Sequence, residues 1–479
     1  MRASEADGTP LKRRHIGAVT IGNALEFYDF LIYALFAIQI GHAFFPASSA
    51  YGSLMLSLAT FGAGFLTRPV GSIVIGAYAD RVGRKPAMLL CLTLIGGSIT
   101  VMALIPTYAR IGVAAPILAV LARLVQGFSL GGEVGSNTAF LAEAASPQRR
   151  GLVVSWQSAS QLMAFMGGNL VGVLISSVLS AGQLDAYGWR IALLLGAATV
   201  PFGLWLRADL PETLHAAEAG HTSSASVADA ATATGAATAP RTAPAPRTAP
   251  APRTAPAPRL ATVPRAGGPH ARLQRRHWWI MLLGLAALGA ATIGAYIFTY
   301  IVTYAQHTLH LPARAGFEAE LVGYLVALPV TLLGGWLSDR YGRWPVNVGC
   351  NAVFLAAIYP VFAWIVAAHS AGVLIFGTTL LSAASWAGTG SLLAALVEAL
   401  PRSVRSTGFG TVYALAIATF GGTTQLVVTW LIQATGSPIA PAWYLIGATA
   451  IGQIALMLLP ETAPARRREP AERPDFIRA

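Results

Sequence analysis

The sequence predicts an all-α membrane protein of twelve transmembrane helices arranged as two six-helix repeats, with both termini cytoplasmic. Three observations carry this. The chain of 479 residues is 55% hydrophobic and only 11% charged, with a mean hydropathy of +0.59, against about 25% charge in a soluble globular chain. Apolar stretches of about 20 residues, each able to cross a bilayer core of about 30 Å, recur along it. Sequence echoes relate the first set of stretches to the second.

The N-terminal tail, residues 1–16, is polar and has neither the apolar core nor the small-residue cleavage site of a removable signal, so the first apolar segment reads as a retained anchor. Spans near 17–42, 53–78, 86–105, 113–141, 153–180 and 189–206 make a first bundle over 17–207. Residues 208–277 follow as a Pro/Ala/Arg-rich segment containing RTAPAP three times over between Arg241 and Pro258. It holds too little apolar surface to offset its ordering entropy and is expected to be an extended, disordered cytoplasmic linker. Spans near 278–303, 317–337, 345–366, 372–396, 407–434 and 440–459 make the second bundle, 278–459, followed by a tail at 460–479.

Charge placement tests the topology. Of the 32 Lys and Arg residues, 27 fall in the tails, the linker and the loops after spans 2, 4, 8 and 10, which assigns that side to the cytoplasm. The net charge of +12 is spread between apolar segments, a distribution that excludes a nucleic-acid partner and fits a bilayer. Cys91 and Cys350 stand in opposite halves, so neither a disulfide nor a thiolate metal site is expected. No phosphate-binding glycine loop, H-E-x-x-H or Cys/His cluster is present; the reading is no enzyme, no metal and no cofactor.

The echoes keep their order. GAYADRVGRK (Gly76–Lys85) returns as GWLSDRYGRW (Gly335–Trp344), LPET at Leu210 returns at Leu459, and EAASPQRRG from Glu143 returns as EALPRSVRSTG from Glu398. A duplicated six-helix unit of this kind is an architecture of alternating-access transporters.

On these motifs the chain resembles the major facilitator superfamily over nearly its whole length. GNALEFYDF (Gly22–Phe30), FLTRPVG (Phe65–Gly71) and RLVQGFSLGGEVG (Arg123–Gly135) are similar to its metabolite:proton symporters. SWQSASQ (Ser155–Gln161), ALVEALPRSVRSTGFG and FGGTTQLVVTWLIQATG are similar to the citrate and tricarballylate branch. The resemblance implies proton-coupled uptake of citrate or a related carboxylate across the bacterial inner membrane, by a monomer with protons, or sodium in their place, as the coupling ion. A betaine or proline carrier, and a carrier of 2-oxoglutarate or shikimate, are the alternatives within the family; the osmosensing members carry a long C-terminal heptad segment that this tail lacks. A nutrient sensor without transport is the alternative from another class.

The loop Gly76, Asp80, Arg81, Gly83, Arg84 and Lys85 matches the superfamily's gating signature, with Asp80 and Arg81 able to pair and Gly83 permitting a tight turn. Its copy, Asp339, Arg340, Gly342 and Arg343, has Trp344 in place of a second basic residue, which implies a weaker latch. Inside the spans, Asn23, Glu26, Asp29 and Tyr33 share one helical face. Arg68 lies twelve residues before Asp80, about 18 Å along a helix and so near the midplane. A guanidinium there must face an interior cavity. It has the planar fork that suits a substrate carboxylate, and an ion pair with Glu26, Asp29 or Glu133 is the structural alternative. Arg123 opens an R-x-x-Q-G pattern that the resemblance links to proton transfer; a structural cation near the membrane interface is its alternative. Glu26, Asp29 and Glu133 are the candidate proton carriers. Gln157 and Gln161 share a face of span 5, with Ser158 beside them and Asn169 two turns on, as neutral donors to an anion or as glue between helices. Thr423, Thr424 and Gln425 offer the same in span 11, and Arg190 reads as an anchor at the outer end of span 6.

Overall fold

The computed structural model describes residues 24, 27, 28, 30–82, 84–132, 138, 141–142, 145–208, 275–401 and 405–466. Twelve helical segments cross it. In chain order they are α1 (residues 30–44), α2 (Ala50–Leu66, resuming as Arg68–Val82), α3 (Arg84–Leu104), α4 (Ala114–Ser129), α5 (Arg150–Val178) and α6 (Trp189–Ala208). The second set is α7 (Arg275–His307), α8 (Ala313–Tyr341), α9 (Arg343–Ala368), α10 (Ala371–Ala399), α11 (Arg405–Ala416, then a π-helical turn Ile417–Gly421, then Gly422–Thr435) and α12 (Ala440–Leu458). The span expected near 113–141 is a regular helix over Ala114–Ser129, tightens into a 3-10 turn, Leu130–Gly132, and is helical again at residues 138, 141 and 142. Among the described residues no strand occurs.

Each half is a bundle. In the first, α2 packs on α4 and α1, and α3 on α4 and α6; in the second, α8 packs on α10 and α7, α9 on α10 and α12, and α12 on α7. The halves meet along two seams, α5 against α8 and α10, and α2 against α11. One side of the molecule carries the loops after α2, α4, α8 and α10, where Lys and Arg concentrate; it is called the basic side below.

Two local features position the interior polar groups. Pro69 has no N–H to return to Phe65, so α2 is interrupted at Thr67. The Thr67 hydroxyl turns to the Leu124 carbonyl of α4, 2.7 Å away. Just there the two helices touch backbone to backbone: a methyl group at Gly127 would lie 1.5 Å from the Gly64 carbonyl oxygen. Small residues alone permit such a crossing, and it sets Arg68 and Arg123 side by side. On the opposite seam the π-helical turn of α11 brings Gly421 and Gly422 against Phe65 and Gly62, a local widening that is frequent at functional sites.

Candidate functional site

Arg68 and Arg123 are 6% and 1% exposed, at the centre of the first half. Both guanidinium groups stack on the Phe30 ring, at 4.5 and 4.2 Å from its centroid. Phe65 lies 4.5 Å from Arg68, and Tyr33 and Phe61 lie 4.7 and 5.0 Å from Arg123. Cation–π contact lets apolar rings hold buried cations without neutralising them. Arg123 also donates to the Gln126 side chain and, at 3.4 Å, to the Phe30 carbonyl. The pattern R-x-x-Q-G is therefore a local unit: Gln126 orients the arginine and Gly127 admits α2. Arg123 is not the cation near the membrane interface that the sequence allowed, because α4 carries it about 13 Å in from Ala114.

Among the described residues no carboxylate forms a salt bridge with either arginine. The Nε atoms of both, and one terminal nitrogen of Arg123, are buried without an acceptor. Asn23, Glu26, Asp29, Glu133 and Asn137 lie outside the described residues, so the expected pairings with Glu26, Asp29 and Glu133 have no described geometry. Tyr33 joins the first half's core. Its ring stacks on Phe61 at 6.1 Å and its hydroxyl donates to the Ser57 carbonyl at 3.2 Å.

The second half closes over the pair. Tyr296 of α7 meets Phe65 at 5.6 Å and Phe61 at 6.1 Å, and Tyr296 and Tyr413 both lie within the electrostatic reach of Arg68. Gln161 of α5 donates to the Tyr413 hydroxyl of α11 at 3.0 Å, a bridge between halves. Gln157 is buried with its amide nitrogen unsatisfied, as is Ser158 Oγ. Thr424 and Gln425 are buried, both polar atoms of Gln425 lacking partners, whereas Thr423 faces outward and bonds its own helix at Thr419. The expected trio in α11 is thus a pair: one residue is a 100° turn, and the third member falls off the inward face. Unmet donors around two cations make a site able to accept a multiply charged oxyanion.

A latch lies on the basic side. Asp339, at the end of α8, accepts from the backbone N–H groups of Gly151 (2.8 Å) and Leu152 (2.9 Å), capping the first turn of α5 across the seam. Arg343 pairs with Asp339 at 2.7 Å and with Glu398 at 3.1 Å, and Arg150 reaches Glu398 at 3.4 Å. One sequence expectation needs correction. Arg340 is not part of the latch: it is one residue, about 100°, round the helix from Asp339, and sits over Trp336 and Tyr341 at 5.9 and 5.8 Å. Trp344, where a second basic residue was expected to strengthen the latch, contributes its backbone N–H to Glu461 at 3.0 Å and its indole to the Met457 carbonyl. Gly342 is required, with φ at +109° and the Glu461 carboxylate 2.7 Å from where a methyl group would stand. In the first copy, Gly76, Asp80, Arg81, Arg84 and Lys85 lie on α2 and α3, Gly83 is outside the described residues, and no side-chain contact of this copy is described.

On the opposite side, Arg190 donates to the Ala103 carbonyl at 2.5 Å and stacks on Trp189. Glu320 and Tyr324 of α8 are fully buried there, Glu320 accepting from Asn169 of α5 at 2.9 Å. Sequence reasoning passed over Glu320. The available signal was its spacing of four from Tyr324, with Gly323 between them, at the head of the apolar run that begins at Leu321.

Residues 16–467 match the family model described as "Sugar (and other) transporter". The chain is 35% identical over 448 residues to a citrate-proton symporter of Klebsiella pneumoniae, covering 92% of this chain and 90% of the relative. It is 30% identical to a glycine betaine/proline/ectoine/pipecolic acid transporter of Dickeya dadantii, over 96% and 86% of the two chains. It is 29% identical to an alpha-ketoglutarate permease of Escherichia coli, over 93% and 94%. Among solved structures, the xylose transporter of E. coli in a partially occluded inward-open form superposes with a TM-score of 0.67 at 14% identity, over 93% of this chain and 97% of the other. A human organic anion transporter superposes with a TM-score of 0.60 at 19% identity, over 94% and 100%. With its duplicated twelve-helix frame and its match over nearly the full length, the chain belongs to the sugar (and other) transporter family of the major facilitator superfamily.

Proposed function

We propose that this protein is a proton-coupled symporter of citrate or a related di- or tricarboxylate, resident in the bacterial inner membrane, with its basic side facing the cytoplasm. The observation that carries the reading is the pair of buried arginines with no acidic partner among the described residues, in a chain whose relatives include citrate-proton symporters at 34 and 35% identity. A polyanion arriving between Arg68, Arg123, Gln157 and Gln161 would find planar forks and neutral donors ready for carboxylate oxygens. Because Gln161 is tied to Tyr413 of the other half, the same anion would bear on the seam that must open and close.

A zwitterionic osmolyte fits less well. Its ammonium end needs free aromatic faces, and Phe30, Phe65, Phe61 and Tyr33 are already taken by guanidinium groups. Rocking of the halves about the α5–α8 and α2–α11 seams would expose the arginine pair to each side in turn. Glu26, Asp29 and Glu133 remain candidates for the coupled proton, and Asp80 and Arg81 for a second latch equivalent to that at Asp339. The test is uptake of labelled citrate into proteoliposomes with an imposed inward proton gradient, chased with tricarballylate, 2-oxoglutarate, shikimate and betaine. Accumulation that collapses with a protonophore and competes with tricarballylate is expected. Uptake indifferent to the gradient, or competition by betaine alone, would overturn the proposal.

A further inference from the structure

The seam opposite the latch is shut by polar and aromatic contacts: Gln39 donates to Gln306 at 3.2 Å, and the Phe317 ring lies 5.2 Å from Phe36 and directly over Gly172. Glu320 sits one turn deeper, about 10 Å in from Ala313. It is 1% exposed. Oε2 accepts from Asn169 Nδ2 across the seam. Oε1 has no partner, and neither does Asn169 Oδ1 or the hydroxyl of Tyr324, one turn along α8.

Among the described residues its surroundings are uncharged. From α5 comes Asn169, from α7 Thr299, Tyr296 and the backbone at Val302, and from α8 Tyr324. From α10 come Thr378 and Ser382, which meet α8 at Gly323. Among the described residues Glu320 makes no salt bridge. A buried carboxylate without a cation is expelled toward water or takes up a proton. The neutral acid suits this place, because its hydroxyl can donate to the orphaned Asn169 Oδ1 while its carbonyl keeps the Nδ2 bond. That makes a reciprocal amide–acid pair between the halves.

We propose that Glu320 is a proton site of the transport cycle, protonated when the outer α5–α8 seam is shut and ionised when that seam opens to water. The inference rests on the proton-coupled reading above and adds a carrier in the second half, away from the arginine pair. In the outward-facing state the carboxylate takes a proton from hydronium and leaves water. The neutral acid then bonds Asn169 and the seam closes; on the inward side the acid returns its proton to water.

The test uses Glu320→Gln, which copies the shape and hydrogen-bonding of the neutral acid. Both the variant and the wild type are reconstituted and assayed for citrate counterflow and for proton-driven accumulation. Expected is counterflow within about threefold of wild type, with accumulation reduced at least tenfold. Wild-type accumulation by Glu320→Gln would overturn the proposal; a wild type that ignores the gradient would instead defeat the proton-coupled reading itself. A second measurement does not depend on transport. With Cys91 and Cys350 changed to serine and Gln306→Cys as reporter, the rate of labelling by an impermeant maleimide from outside, divided by the reagent's rate with free cysteine at the same pH to remove the titration of the thiol itself, should quicken at least fivefold between pH 5.5 and 8.5. It should be flat with pH once Glu320→Gln is added. Equal pH dependence with and without Glu320 would show that it holds the seam without sensing protons, and would also overturn the proposal.

Discussion

Replacing Asp339 by asparagine tests whether the latch sets the conformational equilibrium. In the closed form the carboxylate accepts from the amides of Gly151 and Leu152 at 2.8 and 2.9 Å and from Arg343 at 2.7 Å. Asparagine keeps one acceptor oxygen, loses the charge at the helix terminus, and leaves Arg343 its partner Glu398, so no orphaned cation complicates the result. A charge-assisted hydrogen bond contributes about 1.5–3 kcal/mol and an anion at a partly buried helix N-terminus up to about 2 kcal/mol. The net loss of closed-state stability is about 2 kcal/mol, or roughly 30-fold in the ratio of open to closed on the basic side. The reporter is Val154→Cys, fully buried beneath the latch, in a background with Cys91 and Cys350 changed to serine. In inside-out vesicles its labelling by an impermeant maleimide should accelerate by about that factor. Equal labelling rates with and without Asp339 would refute the assignment of the latch.

Arg68→Lys keeps the charge but loses the planar fork and its stacking on Phe30 and Phe65; citrate uptake should fall more than tenfold, and wild-type uptake would remove Arg68 from the substrate site. Gly127→Ala drives a methyl group into the Gly64 carbonyl. Overpacking typically costs about 1–3 kcal/mol, and against rigid backbone the upper end is expected, visible as a lowered thermal midpoint in detergent; an unchanged midpoint would contradict the α2–α4 crossing. Tyr413→Phe removes the acceptor of Gln161 and should weaken citrate binding by less than tenfold, as one lost neutral hydrogen bond of about 1 kcal/mol implies; no change in affinity would separate that bridge from the site.

Much of the frame was open to a reading of the chain. Apolar length sets helices because a bilayer leaves a backbone no other way to meet its hydrogen bonds, and the repeat of GxxxDRxGR marked the turn where Gly342 and Asp339 now stand. The inward placement of Arg68 followed from the energetic penalty of a guanidinium in lipid. Less open was the identity of the partners. The second copy offered Arg340 and Arg343 alike, and only the structure pairs Asp339 with Arg343, because adjacency in sequence says nothing about which way a side chain leaves a helix end. Asn169 read as a neutral donor to an anion or as helix glue, and Glu320 drew no notice, since the residues that make each meaningful lie 151 positions apart.

By itself the sequence determined that this protein spans a membrane, how many times, that its halves are copies, and which polar residues must avoid lipid. These are one-dimensional consequences of transfer free energy and of helix period. Only the tertiary structure decided that two arginines share one phenylalanine ring, that the latch clamps the first turn of α5, and that an acid of the second half meets an amide of the first. Those facts depend on the close α2–α4 crossing and on the seams between halves, where contact is set by helix phase and approach distance and not by position along the chain.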